Sequence, residues 1–290
     1  MAGNLIFLRR RIRSVRNTQK LTKAMKTVAA AKLRRANGEL KRSRAYREKV
    51  EEMLRASAAR AAAGHPLLRA GAGAALLVVV AGERGLCGAF NSHVLRQAEA
   101  RYRELAAGPG GAHIVTVGAK AERHFGRRGL APLRAYSGLL GRLQFADAAR
   151  LAADLQERFV ADGLRLVEFA FSRFVSASKQ EFALRGLFPV EVEAPPAAAG
   201  GAEGEEYIYE PDADVLFREL LPRHVQAVVH QVLLQSVAAE QVARMVAMDL
   251  ATRNASDMIR RLTLQLNKMR QAAITKELLE IITATEALSQ

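Results

Sequence analysis

The segment Gly82-Glu83-Arg84-Gly85-Leu86-Cys87-Gly88 has residue types and a position that invite a chemical reading. Glycines between an apolar run and a helix can bring backbone N–H groups onto a phosphate. The spacing is GxxGxxG, however, and no Lys-Ser or Lys-Thr follows. It matches neither the dinucleotide fingerprint nor a P-loop. A tight turn that needs positive φ is the favoured expectation. Cys87 is the only cysteine. A helix start could lower its pKa, but no second thiol is present to resolve it, and a buried inert thiol is expected. His65, His93, His113, His124, His224 and His230 are scattered and share no ligand spacing with Cys, Asp or Glu. No Ser/His/Asp grouping and no carboxylate pair in a glycine-rich loop accompanies them. The expectation is no catalytic group, no metal site and no bound cofactor.

Charge is the stronger signal. The 290 residues carry a net charge of +15, and residues 1–60 hold 18 Lys and Arg against four Glu. The first acidic residue is Glu39. A solvated helix face normally mixes both signs, so a stretch this one-sided calls for an anionic partner. An opening poor in acids also resembles a mitochondrial transit peptide, but the helical pattern runs well past a normal cleavage distance. No run of 18 apolar residues exists, so no membrane span is expected.

The elements that would carry these residues fall into three segments: 1–66, 67–211 and 212–290. From Leu5 to Ala63 there is no Pro, and Gly38 is the only Gly. Ile12, Val15, Thr18, Thr22, Met25, Val28 and Ala29 recur mostly at helical steps. They predict a rod of about 80 Å, stopped by Gly64 and His65-Pro66. From Arg223 to Gln290 there is neither Gly nor Pro. Val225, Val229, Val232, Ser236, Ala239, Ala243, Val246 and Leu250, then Leu262, Leu266, Met269 and Ala273, alternate steps of three and four. That is a heptad seam. Pro222 fits its first position, with a shorter helix before it capped by Asp212. Each rod needs a partner for its stripe, and the simplest solution is an antiparallel coiled coil of the two chain ends.

Between the rods, Ala74–Ala81 looks like a buried parallel strand, and His113–Val117, Arg165–Phe171 and Phe182–Val190 look like further strands. Helices are expected over Asn91–Ala107, capped by Asn91, and over Ala119–Arg128 and Phe145–Val160. Alternating strands and helices predict a central Rossmann-like α/β domain with a mainly parallel sheet. Residues 194–206 look like an acidic linker or surface loop.

Six segments stand out: Arg13-Ser14-Val15-Arg16-Asn17-Thr18-Gln19-Lys20-Leu21-Thr22-Lys23-Ala24-Met25, Glu83 to Asn91, Tyr209-Glu210-Pro211, Ala243 to Met248, Asn267 to Thr275 and Glu277 to Ile281. In this order, from about residue 10 to the end, they resemble the gamma subunits of F-type ATP synthases. The resemblance implies a central rotor shaft inside a hexamer of alpha and beta subunits. Its foot would bind the epsilon subunit and the c ring. It implies a non-catalytic subunit, held through the complex at the cytoplasmic face of a bacterial membrane. By resemblance, Arg270, Gln271 and Thr275 catch a loop of the beta subunit, and Met25, Lys23 and Lys26 lie near beta's acidic lever. Tyr207, Tyr209 and Glu210 form the foot contact. Two departures stand out. Residues 4–8 replace the usual polar opening, and the basic and acidic positions at Asp249 and Arg253 are exchanged. The cysteine insert of chloroplast relatives is absent. The rival class is a basic coiled coil that binds nucleic acid and would show steep salt dependence. A Rossmann-type enzyme is disfavoured by the missing fingerprint.

Overall fold

A computed structural model of the chain describes residues 2–61, 65–176, 179–192 and 212–288. The segment 194–206 therefore lies outside the described residues. The described residues divide between two compact units, Met1–Ala29 with Arg244–Gln290, and Ala30–Ala243. Helix α1 is Ala2–Ala61 and helix α5 is Ala213–Leu288, and each contributes to both units.

The larger unit holds a five-stranded sheet in the order β3-β2-β1-β4-β5. Strand β1 (Ala75–Val80) lies at the centre, parallel to β2 (Ala112–Val117) and β4 (Leu166–Phe174). β3 (Arg134–Tyr136) continues the parallel set, and β5 (Gln180–Phe188) runs antiparallel to β4. All six β1 residues are buried, as a strand covered on both faces requires. Leu76, Val78 and Val80 face a core shared with α4 (Phe145–Ala161) and α5, through Leu151, Leu155, Phe217, Leu221 and Leu233. Ala75, Leu77 and Val79 face α2 (Phe90–Ala106) and α3 (Ala119–Gly126), through Leu95, Ala98, Ala121 and Phe125. The expected α/β domain is thus a three-layer sandwich. β3, which carries no apolar run, was not foreseen.

Four expectations need correction. Pro222 lies inside α5 rather than at a helix start, and the shorter helix from Asp212 is part of the same element. The Leu216 N–H donates to the Asp212 carbonyl and opens it. Proline removes one intrahelical bond, but buried Phe217, Leu221 and Val225 flank it and fix the path. Second, the α5 seam does not continue through Val246 and Leu250, which are exposed. Through residues 225–243 nearly every side of the helix is covered, so no stripe is defined there. Beyond that stretch, Met248, Ala255 and Leu262 are the buried set. Third, Thr18 and Val28 are exposed on α1, and Gln19 and Lys26 take partly buried places. The covered positions Leu8, Ile12, Thr22, Ala29, Leu33, Ala36, Val50, Leu54 and Ser57 keep one heptad phase along the helix. Fourth, α2 starts at Phe90, and its N-cap is Ala89 with no side-chain cap. Asn91 faces the preceding loop instead.

Candidate partner-contact surfaces

The glycine-rich turn is filled by its own chain. Asn91 Oδ1 accepts the Gly82 N–H at 2.8 Å, and its Nδ2 donates to the Arg84 carbonyl at 3.2 Å. The Glu83 carboxylate accepts the Ala119 N–H at 3.1 Å and the Leu140 N–H at 3.3 Å. A carboxylate thus takes the first amide of α3, where an anion is favoured. Leu86 and Gly88 both have positive φ, so the tight-turn expectation describes this loop. Gly118, before α3, has φ of 98°, and a Cβ there would lie 1.9 Å from the Ala81 carbonyl oxygen. Cys87 is buried beside Phe90, Ala239 and Ala243. It forms part of the packing, as expected for a structural thiol.

In the smaller unit α1 and α5 run antiparallel. Leu8, Ile12 and Leu262 form an apolar cluster, with Val15, Ile259, Leu266 and Met269 against it. Next along the seam come three polar pairs. Gln19 Nε2 donates to Ser256 Oγ at 2.7 Å, Thr22 and Thr252 share a hydrogen bond of 2.7 Å, and Lys26 Nζ donates to Asp249 Oδ1 at 2.6 Å. Arg253 adds a second contact to Asp249 at 2.8 Å, one helical turn on. The Lys26 hydrogen bond is the main cause that holds the Asp249 carboxyl below the usual carboxylate range; burial opposes it, and the charges of Arg253 and Lys26 add to it. Asp249 is thus met by Lys26 across the seam and by Arg253 along its own helix. Reading only apolar and small residues as seam positions missed these pairs. Counting Gln19 and Lys26 in the 15, 19, 22, 26 and 29 spacing reveals them.

Beside the seam, Arg9, Arg13, Arg16, Lys20 and Lys23 follow one another at steps of four and three and are exposed. Among the described residues none of them has an acidic partner. Further along α1, charges pair within the helix, as in Arg35 with Glu39 and Arg44 with Glu48. Of the lever candidates, Lys23 is exposed, Met25 is half-buried, and Lys26 is 45% exposed and engaged with Asp249. On α5, Arg270, Gln271 and Thr275 are exposed, and the Thr275 hydroxyl donates to the Gln271 carbonyl. Ile274, Leu278, Leu279, Ile281 and Ile282 are exposed beyond or among them. Tyr207, Tyr209 and Glu210 lie outside the described residues.

These features describe a helical pair with one cationic flank and a run of exposed apolar residues on α5, and an α/β domain whose glycine turn is occupied by its own side chains. The sequence model of the ATP synthase family matches residues 4–288. The chain is 42% identical over 284 residues to the ATP synthase gamma chain of Pelotomaculum thermopropionicum, covering 97% of this chain and 98% of that one. It is 40% identical to that of Geotalea uraniireducens, covering 99% of both. The fold is similar to a chain in a cryo-EM structure of the Euglena gracilis mitochondrial ATP synthase rotor, at a TM-score of 0.66 and 18% identity. That match covers 94% of this chain and 100% of the other. A chain in that organism's OSCP/F1/c-ring structure gives a TM-score of 0.68 at 20% identity, covering 99% and 95%. The chain belongs to the ATP synthase gamma chain family.

Proposed function

We propose that this chain is the central rotor shaft of an F-type ATP synthase. It would couple proton-driven turning of a c ring to ATP synthesis or hydrolysis in an alpha/beta hexamer. In this reading residues 1–66 and 212–290 form the shaft, and 67–211 form the foot that meets the epsilon subunit and the c ring through Tyr207, Tyr209 and Glu210. The observation that carries it is the antiparallel pairing of α1 with α5 through Gln19–Ser256, Thr22–Thr252 and Lys26–Asp249. Two ends of one chain, joined this way, can turn only as one body.

A rotor must press on successive partners without adhering to any. The exposed Ile274, Leu278 and Ile281 suit a bearing surface, with Arg270, Gln271 and Thr275 catching a loop of beta once per turn. Lys23, with Met25 and Lys26 beside it, would meet the acidic lever of beta. Each exposed ion pair contributes about 0.2–1 kcal/mol, so angular preference must come from the sum along the stripe. Catalysis belongs to the beta subunits. No helix among the described residues is long and apolar enough to cross a membrane. The chain would sit at the cytoplasmic face of a bacterial membrane through its complex. The test is to mix the purified chain with alpha and beta subunits. The expected result is a stable complex with high ATPase activity, which the chain alone lacks. Failure to form a complex would defeat the reading.

A further inference from the structure

Taking the rotor reading as its basis, we propose that Lys26 and Asp249, with the two hydrogen-bonded pairs beside them, are positioning residues. They set the axial register of α1 against α5 and so hold the cationic stripe of α1 in phase with the Arg270–Thr275 face of α5. Farther along the same helices, in the larger unit, Ser43 meets His230 and Leu54 shares a core with Phe217 and Leu221; within the smaller unit the apolar part of the seam cannot fix the register alone. Leu8, Ile12 and Val15 meet Ile259, Leu262, Leu266 and Met269, side chains similar enough to interlock again after a slip of one heptad. The polar pairs break that degeneracy. Gln19, Thr22 and Lys26 meet Ser256, Thr252 and Asp249 in one register only. Slip by seven residues one way sets Lys26 opposite Ser256 and Thr22 opposite Ile259. Slip the other way gives Asp249 to Gln19 and leaves Lys26 without a carboxylate. Polar groups on an otherwise apolar seam are a known means of fixing register. Lys26 and Asp249 are 45% and 29% exposed, so the pair is selective without being locked in a dry core. Arg253, bonded to the other Asp249 oxygen, holds the carboxylate toward α1. A one-heptad slip would move the exposed charges of α1 by about 10 Å against α5.

The test uses the full chain in a Cys87→Ser background with two arms. In the first, nitroxide labels are placed at exposed Asn17 and Lys268, and their separation is measured by pulsed electron spin resonance. The unaltered seam should give one distance. Lys26→Glu or Asp249→Lys should add a second population displaced by about 10 Å along the coil. The milder Lys26→Met should broaden the distribution while helix content stays constant. The triple variant Lys26→Glu with Asp249→Lys and Arg253→Asp should restore the single distance. In the second arm, the same variants without labels are assembled with the other subunits in vesicles. Protons pumped per ATP hydrolysed should fall at least threefold in each single reversal and return to within twofold in the triple. Unchanged distances in all single variants would overturn the register role. Shifted distances with an unchanged pumping ratio would overturn the positioning role. Failure of the unaltered chain to assemble would strike the rotor reading alone, because the distance arm needs no partner.

Discussion

At the residue scale, most charged groups are arranged for packing or pairing, and His224 is the exception with the clearest consequence. It is 8% exposed, and its Nδ1 has no hydrogen-bond partner among the described residues. Burial is the main cause of its lowered pKa. Arg185, Arg47 and Arg55 act in the same direction, and Glu51 opposes them. The folded state therefore binds the proton less readily than the unfolded chain. Stability is fully present above the ordinary histidine value of 6.5 and falls as pH drops below it. Burial shifts His65 and His230 the same way, so His224→Leu should reduce the fall of the melting temperature between pH 7 and pH 5 without abolishing it, as measured by circular dichroism; an unchanged slope would contradict this. Glu83 offers a second residue-scale prediction. Glu83→Ala removes the acceptor for two backbone N–H groups and should cost about 1–3 kcal/mol in urea unfolding. Nucleotide should not recover that loss, because the site is a turn clamp and not a phosphate cradle.

At the element scale, the sequence revealed the two long helices because Pro and Gly are absent and apolar positions repeat. It revealed β1 because Ala75–Val80 is an unbroken apolar run. On α5 it correctly picked Leu262, Leu266 and Met269, which pack with Leu8 and Ile12, but not the positions before them that face the partner helix. Residues 225–243 are covered on nearly every side, so apolar spacing there carries no phase, and extending it wrongly selected Val246 and Leu250. β3 escaped because a three-residue edge strand has too few side chains to show alternation. The polar seam escaped because Gln and Lys are ordinarily surface residues, and only the opposing helix shows what they meet. The candidate contacts at Arg270, Gln271 and Thr275 came from resemblance, and no local physical pattern would have singled them out. Pro222 can be tested directly. An interior proline costs on the order of 3 kcal/mol, partly offset here by packing against its buried neighbours. Pro222→Ala should raise stability by about 1 kcal/mol in denaturant unfolding; a loss would mean the ring is needed for the path of the helix. Gly118→Ala should do the opposite and destabilise by several kcal/mol, because it pairs a strained φ with a clash against the Ala81 carbonyl.

At the scale of the whole molecule, composition serves mechanics. Slim Ala-, Ser- and Thr-containing faces let helices approach closely, and a Gly-free, Pro-free stretch beyond Pro222 favours a stiff rod. The positive charge is concentrated on α1, where Arg9, Arg13, Arg16, Lys20 and Lys23 have no acidic partner among the described residues, while Arg35, Arg44, Arg47, Lys49 and Arg55 pair with glutamates of the same helix. If the stripe meets an acidic lever, neutralising Arg16, Lys20 and Lys23 together should slow ATP-driven turnover of the assembled complex more at low salt than at high salt. An equal effect at both would argue against an electrostatic contact.

The most direct measurement is rotation itself. Gln97, exposed on α2, can be replaced by cysteine to carry a bead, since native Cys87 is buried. The chain is then assembled with immobilised alpha and beta subunits and given ATP. The bead should turn continuously in one direction, at a rate that follows ATP hydrolysis. Steady ATP hydrolysis with a bead that only jitters about a fixed angle would contradict the account.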